Sequence, residues 1–307
     1  METFSSIECF VRSAEVGSFA EAARRLSLTP AAVGKSVAKL EVRLGVRLFQ
    51  RSTRSLTLTE AGQLFLSEVS ASLHTIQNAV ANLASAEGRP AGTLKVSMGT
   101  VFGRLYIVPL LGEFLRRFPA INPDWHFDNR QVDLIGQGFD AAIGGGFELP
   151  QGVVARKLTP AHRVLVASAE YLARNPAVLE PDDLKQHDGI LIRSPQTGRV
   201  RSWQLTSRDQ QHSPLSLRAR MTMSDSEAAC ATAAQGLGIA LVSMPFALGY
   251  LQAGTLQRVL ADWYVDDGNI SIYYAEHKLL PGKTRAFVDF VIEQFAEQGL
   301  ARRFSAV

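Results

Sequence analysis

Three features of the 307-residue sequence predict an α/β protein headed by an all-helical winged helix–turn–helix module. Residues 18–59 carry the signals of two short helices, a tight turn and an Arg-bearing β-wing. Residues 59–87 repeat apolar side chains at steps of three and four. From Thr93 onward, short apolar runs alternate with helical stretches, the pattern of α/β units.

The elements follow in chain order. Phe4, Ile7, Phe10, Val11 and Ala14 define a first amphipathic helix. Ser18 and Glu21 form a capping box, in which the hydroxyl takes an orphan N–H and the carboxylate reaches back to the cap residue. The helix that starts there buries Phe19, Ala22, Ala23 and Leu26 and leaves Arg24 and Arg25 outside. Thr29 caps the next helix, with Pro30 at its first position, where a missing N–H costs nothing. Val33, Val37, Leu40 and Leu44 form its inner stripe; Ala31, Lys35, Ala38 and Val42 lie opposite, with Lys39 at the flank. A slim, cationic outer face suits the major groove of DNA. Gly34 fits that reading, because glycine inside a helix costs about 1 kcal/mol relative to alanine and close approach to DNA would justify it. The alternative is a plain helical hairpin in which Gly34 makes room for a neighbouring helix.

Gly45 ends that helix, and Val46, Leu48 and Phe49 are expected to face Leu56 and Leu58 across a loop carrying Arg51 and Arg54. Arginines at a wing tip can clamp phosphates or enter a narrow minor groove; otherwise they form a solvated surface pair. Ser18, Thr29, Pro30, Ala31, Gly34, Lys35, Lys39, Arg51 and Arg54 are therefore the candidate DNA-contacting residues. Charge agrees. Residues 1–60 hold nine Lys or Arg against six Glu, a surplus of three that equals the net +3 of the whole chain, so the remainder is formally neutral.

Thr59 caps a helix reaching about Glu87, in which Leu66, Val69, Leu73, Ile76, Val80 and Leu83 make a heptad-like seam. Such a seam keeps one apolar edge toward a second helix and predicts dimerisation; the alternative is a helix packed on its own effector domain. Gly88 to Gly92 break it and mark a hinge. The domains expected are residues 1–58 (DNA binding), 59–87 (dimerisation helix), 88–92 (hinge) and 93–307, about 215 residues, comfortable for two lobes. Apolar runs at 94–98, 141–143, 164–167, 189–192, 239–243 and 270–275 read as strands of mostly parallel sheets. Helices are expected at 103–118, 226–235 and 281–298.

Enzyme chemistry finds little support. The six histidines are scattered without metal-ligand spacing, and no G-x-S-x-G nucleophile elbow occurs. Gly136-Gln137-Gly138 imitates a dinucleotide fingerprint but precedes a strand where a phosphate loop must follow one, so it reads as a turn. No cofactor and no metal are expected. A secreted solute receptor would carry a charged-then-apolar leader, whereas Met1 leads directly into a helix; with two cysteines, Cys9 and Cys230, the expectation is cytoplasmic with no membrane span. Both cysteines read as packed small hydrophobes, with a redox role for Cys230 as the alternative. The tryptophans read as core, with stacking on an aromatic ligand the alternative.

The stretches FVRSAEVGSFAEAARRLSLTPAAVGKSVAKLEVRLGVRLFQRSTRSLTLTEAG, VDLIGQGFDAAI and AAQGLGIALVSMPF resemble the LysR-type transcriptional regulators across nearly the whole chain. The last two, with FGRLYIVPLLGEFL, resemble the subgroup that regulates small aromatic or organic-acid metabolism. Gly34-Lys35 stands where many members carry Ser followed by Arg, so base preference is not carried over. The resemblance implies operator DNA and a small-molecule effector as partners, dimers or pairs of dimers, contact with RNA polymerase, and an effector domain of two α/β lobes similar to periplasmic binding proteins. Lobe I would be 93–162 with 268–307, and lobe II 163–267. Effector positions by resemblance are Met98, Gly99, Thr100, Val101, Asn129, Gly144 to Gly146 with Gly145 central, Arg193, Ser194, Ser224 and Ser226. Thr100 and Ser226 near helix starts favour a carboxylate-bearing effector, since free N–H groups and the macrodipole attract anions; alternatively these hydroxyls cap their own helices.

Overall fold

A computed structural model describes residues 2–51, 56–84, 89–145, 152–194, 196–276 and 280–307. They form two compact units, Met1–Gly92 with Asp133–Phe139 and Thr93–Val132 with Asp140–Val307.

In the first unit α1 (Glu2–Val16), α2 (Phe19–Arg25) and α3 (Pro30–Leu44) surround a core of Phe10, Val11, Ala22, Ala23, Val33, Val37 and Leu40. Ser18 caps α2 by accepting the Glu21 N–H at 3.3 Å. The reciprocal half of the capping box is replaced, because the Glu21 carboxylate turns to Arg24 and Arg25. Thr29 accepts the Ala32 N–H at 3.2 Å and Pro30 opens α3. Gly45, at φ 70°, ends the helix in the left-handed conformation that glycine adopts without strain. Two expectations fail here: Leu44 is 41% and Val46 45% exposed. The chain leaves the helix at Gly45, one turn beyond the last core contact of Leu40, so the inner stripe stops early. β1 (Phe49–Arg51) pairs antiparallel with β2 (Leu56–Leu58), Phe49 opposite Leu58. Glu41 fixes the wing by accepting the Leu48 and Phe49 N–H groups at 2.8 and 3.1 Å.

Helix α4 (Glu60–Ala84) starts where Thr59 accepts the Gly62 N–H at 3.0 Å. A Cβ on Gly62 would fall on the Leu48 carbonyl, so only glycine lets α4 lie this close to the wing. Phe65, Leu66, Val69 and Leu73 of α4 complete the core around Phe10, whose ring centroid lies 5.4 Å from that of Phe65.

The second unit opens with β3 (Gly92–Met98) and a helical run that is not one helix. α5 (Thr100–Phe102), a π segment at Gly103–Ile107, a 3₁₀ turn at Val108–Leu110 and α6 (Leu111–Arg117) replace the continuous helix expected over 103–118. Pro109 explains the break, since it lacks the N–H that would extend the α pattern. There follow β4 (Ile121–Phe127), β5 (Ala141–Gly145), β6 (Val153–Ala167), α7 (Ala169–Arg174), β7 (Asp188–Ile192), β8 (Gln204–Ser207), β9 (His212–Pro214), β10 (Arg218–Met223), α8 (Ser226–Ala234), β11 (Ile239–Ser243), α9 (Met244–Gln252), β12 (Gln257–Val259), β13 (Trp263–Ala275), α10 (Gly282–Glu297) and α11 (Leu300–Arg303). The sheet order is β10-β7-β11-β6-β13-β5-β3-β4. Parallel pairs β10–β7, β11–β7 and β3–β5 stand on either side of the long strands β6 and β13, which run antiparallel to each other and to their outer neighbours β11 and β5. "Mostly parallel" therefore holds within the flanks and not through the middle. The register between β6 and β13 breaks between Asp266 and Asn269, at Gly268 with φ 81°.

The main core packs Phe114, Phe287, Phe290 and Val291 of α6 and α10 against Leu94, Val96 and Ile143. A second cluster joins Leu165, Leu184, Leu205 and Ile239. A buried ion pair, Lys283 Nζ to Asp140 Oδ2 at 2.7 Å, ties α10 to the start of β5; Lys283 also donates to the Thr93 carbonyl. The Gly136–Gly138 stretch is a turn before β5, with Asp133 accepting the Gly136 N–H at 2.9 Å. No helix among the described residues is long and apolar enough to cross a membrane.

Candidate DNA-binding face and ligand cleft

In the first unit, burial of Val33, Val37 and Leu40 turns the opposite side of α3 to solvent. Pro30, Ala31, Lys35, Lys39 and Val42 are exposed there, Val42 at 83%, and Gly34 and Ala38 are half-buried. No atom of a neighbouring element lies within 4 Å of where a Gly34 Cβ would stand, which removes the helix-packing reason for this glycine. Ser18 and Thr29 are half-buried and exposed, each engaged as a helix cap. Arg51 lies in β1, its side chain outside the description, and Arg54 lies outside the described residues altogether.

In the second unit, a cavity of about 510 Å³ opens where β6 and β13 exchange neighbours. Of the residues expected to face a ligand, Val101, Asn129, Gly145, Arg193, Ser194, Ser224 and Ser226 line it. Met98 does not: it is 1% exposed and belongs to the core. Gly99 and Thr100 are not on its wall either. Met98 closes a run of buried β3 residues, Val96 to Met98, and the next turn hands the wall to Val101. Gly146 lies outside the described residues. Gly145 has a packing reason, since a Cβ there would strike the Asn269 carbonyl of β13.

Neither expected anion-attracting helix start is open. The Thr100 N–H donates to Asn129 Oδ1 at 3.0 Å, and α8 is capped by Asp225, whose carboxylate accepts the Ala228 N–H at 2.8 Å. Ser226 is thus the first helical residue rather than the cap, and that end already carries the protein's own negative charge. The remaining charges are largely committed. Asp267, its side chain 7% exposed, receives Arg163 at 2.9 Å and Arg201 at 3.1 Å, and both guanidinium groups lie over the Trp203 ring, 4.6 and 4.3 Å from its centroid. Glu227 takes a bidentate contact from Arg104 at 2.7 and 2.8 Å. Arg193 is the lining cation with no acidic partner among the described residues.

Residues 4–63 match the bacterial regulatory helix–turn–helix of the lysR family, and residues 87–296 match the LysR substrate binding domain. The chain belongs to the LysR family. It is 32% identical over 286 residues to an HTH-type transcriptional regulator of Xanthomonas campestris, covering 92% of this chain and 83% of that protein. To the transcriptional activator TtdR of Escherichia coli it is 30% identical over 285 residues, 93% and 91% of the two chains. Among solved structures, full-length AphB, the Vibrio cholerae virulence activator, aligns with a TM-score of 0.61 at 27% identity over 94% of this chain and 98% of that one.

As a LysR-type regulator the protein is a DNA-binding transcription factor with a domain for a small-molecule effector, in a family of oligomeric regulators rather than enzymes. What the sequence left unseen is the Arg163–Asp267–Arg201–Trp203 cluster. Its members come from β6, the segment before β8, and β13, and Asp266-Asp267-Gly268 reads along the chain as an ordinary turn. The long helix also holds a surprise. Leu66, Val69 and Leu73 of the expected dimer seam cover the chain's own first-unit core, Leu73 at 3% exposure, whereas Ile76 is 47% exposed. The side chains of Val80 and Leu83 lie outside the description.

Proposed function

We propose that this regulator reads its operator through Pro30, Ala31, Gly34, Lys35 and Lys39, with Arg51 and Arg54 of the wing on phosphates or the minor groove, and that it answers to a small organic anion in the cavity of the second unit. Arg193 carries the anion reading. Arg163 and Arg201 share Asp267 in a fixed cluster of net +1, Arg104 neutralises Glu227, and Asp225 caps a helix, so Arg193 is the lining cation without an acidic partner among the described residues and the wall as a whole stays positive. Ser194, Ser224 and Ser226 add hydroxyls around it. An aromatic or other small acid fits this wall better than a neutral sugar does, which agrees with the resemblance to regulators of aromatic and organic-acid metabolism.

The register break at 266–269 supports a division into lobe I, residues 93–162 with 268–307, and lobe II, residues 163–267. Two lobe arrangements differing by a few kcal/mol suffice for a ligand of unequal affinity to shift operator binding or DNA bending. The exposed Ile76 is the part of the expected seam offered to a partner copy, giving dimers or pairs of dimers. A DNA-binding regulator works in the cytoplasm, and contact with RNA polymerase belongs to the same proposal. The test is a thermal-shift screen of the full chain against small carboxylates and their neutral amides, repeated on Arg193→Gln. Stabilisation by acids that is lost in the variant is expected; stabilisation by the amides alone overturns the anion reading.

A further inference from the structure

The cleft wall carries three arginines, Arg163, Arg193 and Arg201, and acidic partners are unequally shared among them. Arg163 of β6 grips one carboxylate oxygen of Asp267, Oδ2, with Nε and Nη2, both at 2.9 Å. Arg201 reaches the other oxygen, Oδ1, through Nη1 alone at 3.1 Å. One carboxylate thus serves two guanidinium groups, and one positive charge is left over. It falls to Arg201, whose side chain is 58% exposed against 22% for Arg163. Its Nε–Nη2 edge, the one that takes a carboxylate side-on, meets no acceptor among the described residues.

Asp267 and the Trp203 ring hold that guanidinium in place, the ring centroid lying 4.3 Å from Arg201 and 4.6 Å from Arg163. A cation that is already ordered gives up less freedom when a ligand arrives. Arg193 comes to the same wall through the chain itself, because it pairs across an isolated antiparallel bridge with Val200, the residue before Arg201. Two unspent cations therefore start from neighbouring strands and line one cavity, with Ile192, Leu215 and Leu241 as apolar lining. The other acidic groups there are engaged, Glu227 by Arg104 and Asp225 as the cap of α8. Like charges on one wall repel, and a ligand with two anionic ends relieves both where a monoanion relieves one.

On the basis of the anion reading of this cleft, we propose that the effector is a dianion, a dicarboxylic acid of short or compact skeleton, with one carboxylate on Arg193 and the other on the Nε–Nη2 edge of Arg201. Arg201 is then the residue that tells diacids from monoacids, and Asp267 and Trp203 are the groups that position it.

The test titrates the full chain by calorimetry with unbranched diacids from succinate to adipate and with phthalate, each beside its monomethyl ester and its diamide, for wild type, Arg193→Gln and Arg201→Gln. At least one diacid is expected to bind wild type about tenfold more tightly than its monoester, the factor of one charge-assisted contact on a partly exposed cation. Arg201→Gln removes that advantage and leaves the monoester's affinity where it was. A merely structural role would not give this split, because damage to the wall weakens both ligands, as Arg193→Gln is expected to do. Diacids and monoesters that bind alike, or that lose affinity alike in Arg201→Gln, overturn the dianion and leave the anion reading standing. Diamides that bind as well as the acids overturn the anion reading with it, and a series in which no member binds overturns the dianion.

Discussion

Gly34 sits in the middle of α3, where alanine is favoured by about 1 kcal/mol, and no neighbouring element occupies the space its side chain would take. A helix that tolerates this cost without a packing reason has its reason outside the chain. Gly34→Ala is expected to raise the stability of the first unit by about 1 kcal/mol and at the same time weaken operator binding. Thermal unfolding and a DNA titration on the same preparation check it, and a variant that is more stable and binds DNA as well as wild type removes Gly34 from the interface. The cysteines make the opposite case, residues whose surroundings forbid a role. Cys230 is fully buried, its thiol pushed up to about 12 by burial and then by Glu227 and Asp225; burial raises the Cys9 thiol as well. Thiolate is the reactive form. Neither cysteine should therefore react with a disulfide reagent in the native state, and both should react once guanidinium unfolds the chain. Rapid native labelling of one thiol would restore the redox reading of Cys230.

At the scale of elements, periodicity located the helices of the first unit because each has one buried face, and α2, α3 and α4 have caps of the expected type. It failed to say what α4 would cover. Steps of three and four are common to a dimer seam and to a helix lying on its own domain, and α4 does the second as far as Leu73. The two halves should then respond differently. Leu73→Ala is expected to destabilise the first unit by about 2–5 kcal/mol, whereas Ile76→Ala, at an exposed position, leaves unfolding unchanged and shifts the oligomer toward smaller species in sedimentation. The outward face of α3 gives a third expectation. Lys35→Ala should weaken operator binding at every sequence tested and lower the salt slope by about one unit, the signature of a lost phosphate contact. A loss confined to one operator sequence would instead make Lys35 a base reader.

Across the whole molecule, the α/β character was legible from short apolar runs, but the two strands that unite the second unit were not. β6 extends over Val153–Ala167 and β13 over Trp263–Ala275, and each has a polar middle, Arg156-Lys157 in one and Asp266-Asp267 in the other, that breaks the hydrophobic signal into fragments. β4, with Pro123 inside it, gave no alternation to read. The cavity followed the same rule: single residues at strand ends were legible, while the Asp267 cluster assembles only when β6 and β13 pair. Where they pair, His162 of β6, opposite Asp266, ties in the C-terminal end, its Nδ1 accepting the Ala306 N–H at 2.9 Å while Arg258 donates to the Ala306 carbonyl at 2.9 Å. Burial lowers the affinity of His162 for protons, and that of the fully buried His187 likewise, against the opposing pull of Asp266 on the first and of Asp183 and Asp188 on the second. The native state therefore holds both rings neutral, whereas the unfolded chain protonates them near pH 6.5. Below that pH the unfolded state binds more protons, so stability is full above about pH 7 and falls as the pH drops toward 5. Asp128 and Asp183, whose carboxyls are lowered by hydrogen bonds, lose their contributions only below about pH 4, outside that window. Denaturant midpoints measured between about pH 7.5 and 5 should fall in the wild type and fall less in His162→Gln, whose amide oxygen can still accept the Ala306 N–H but cannot titrate; parallel curves would remove His162 from the acid response.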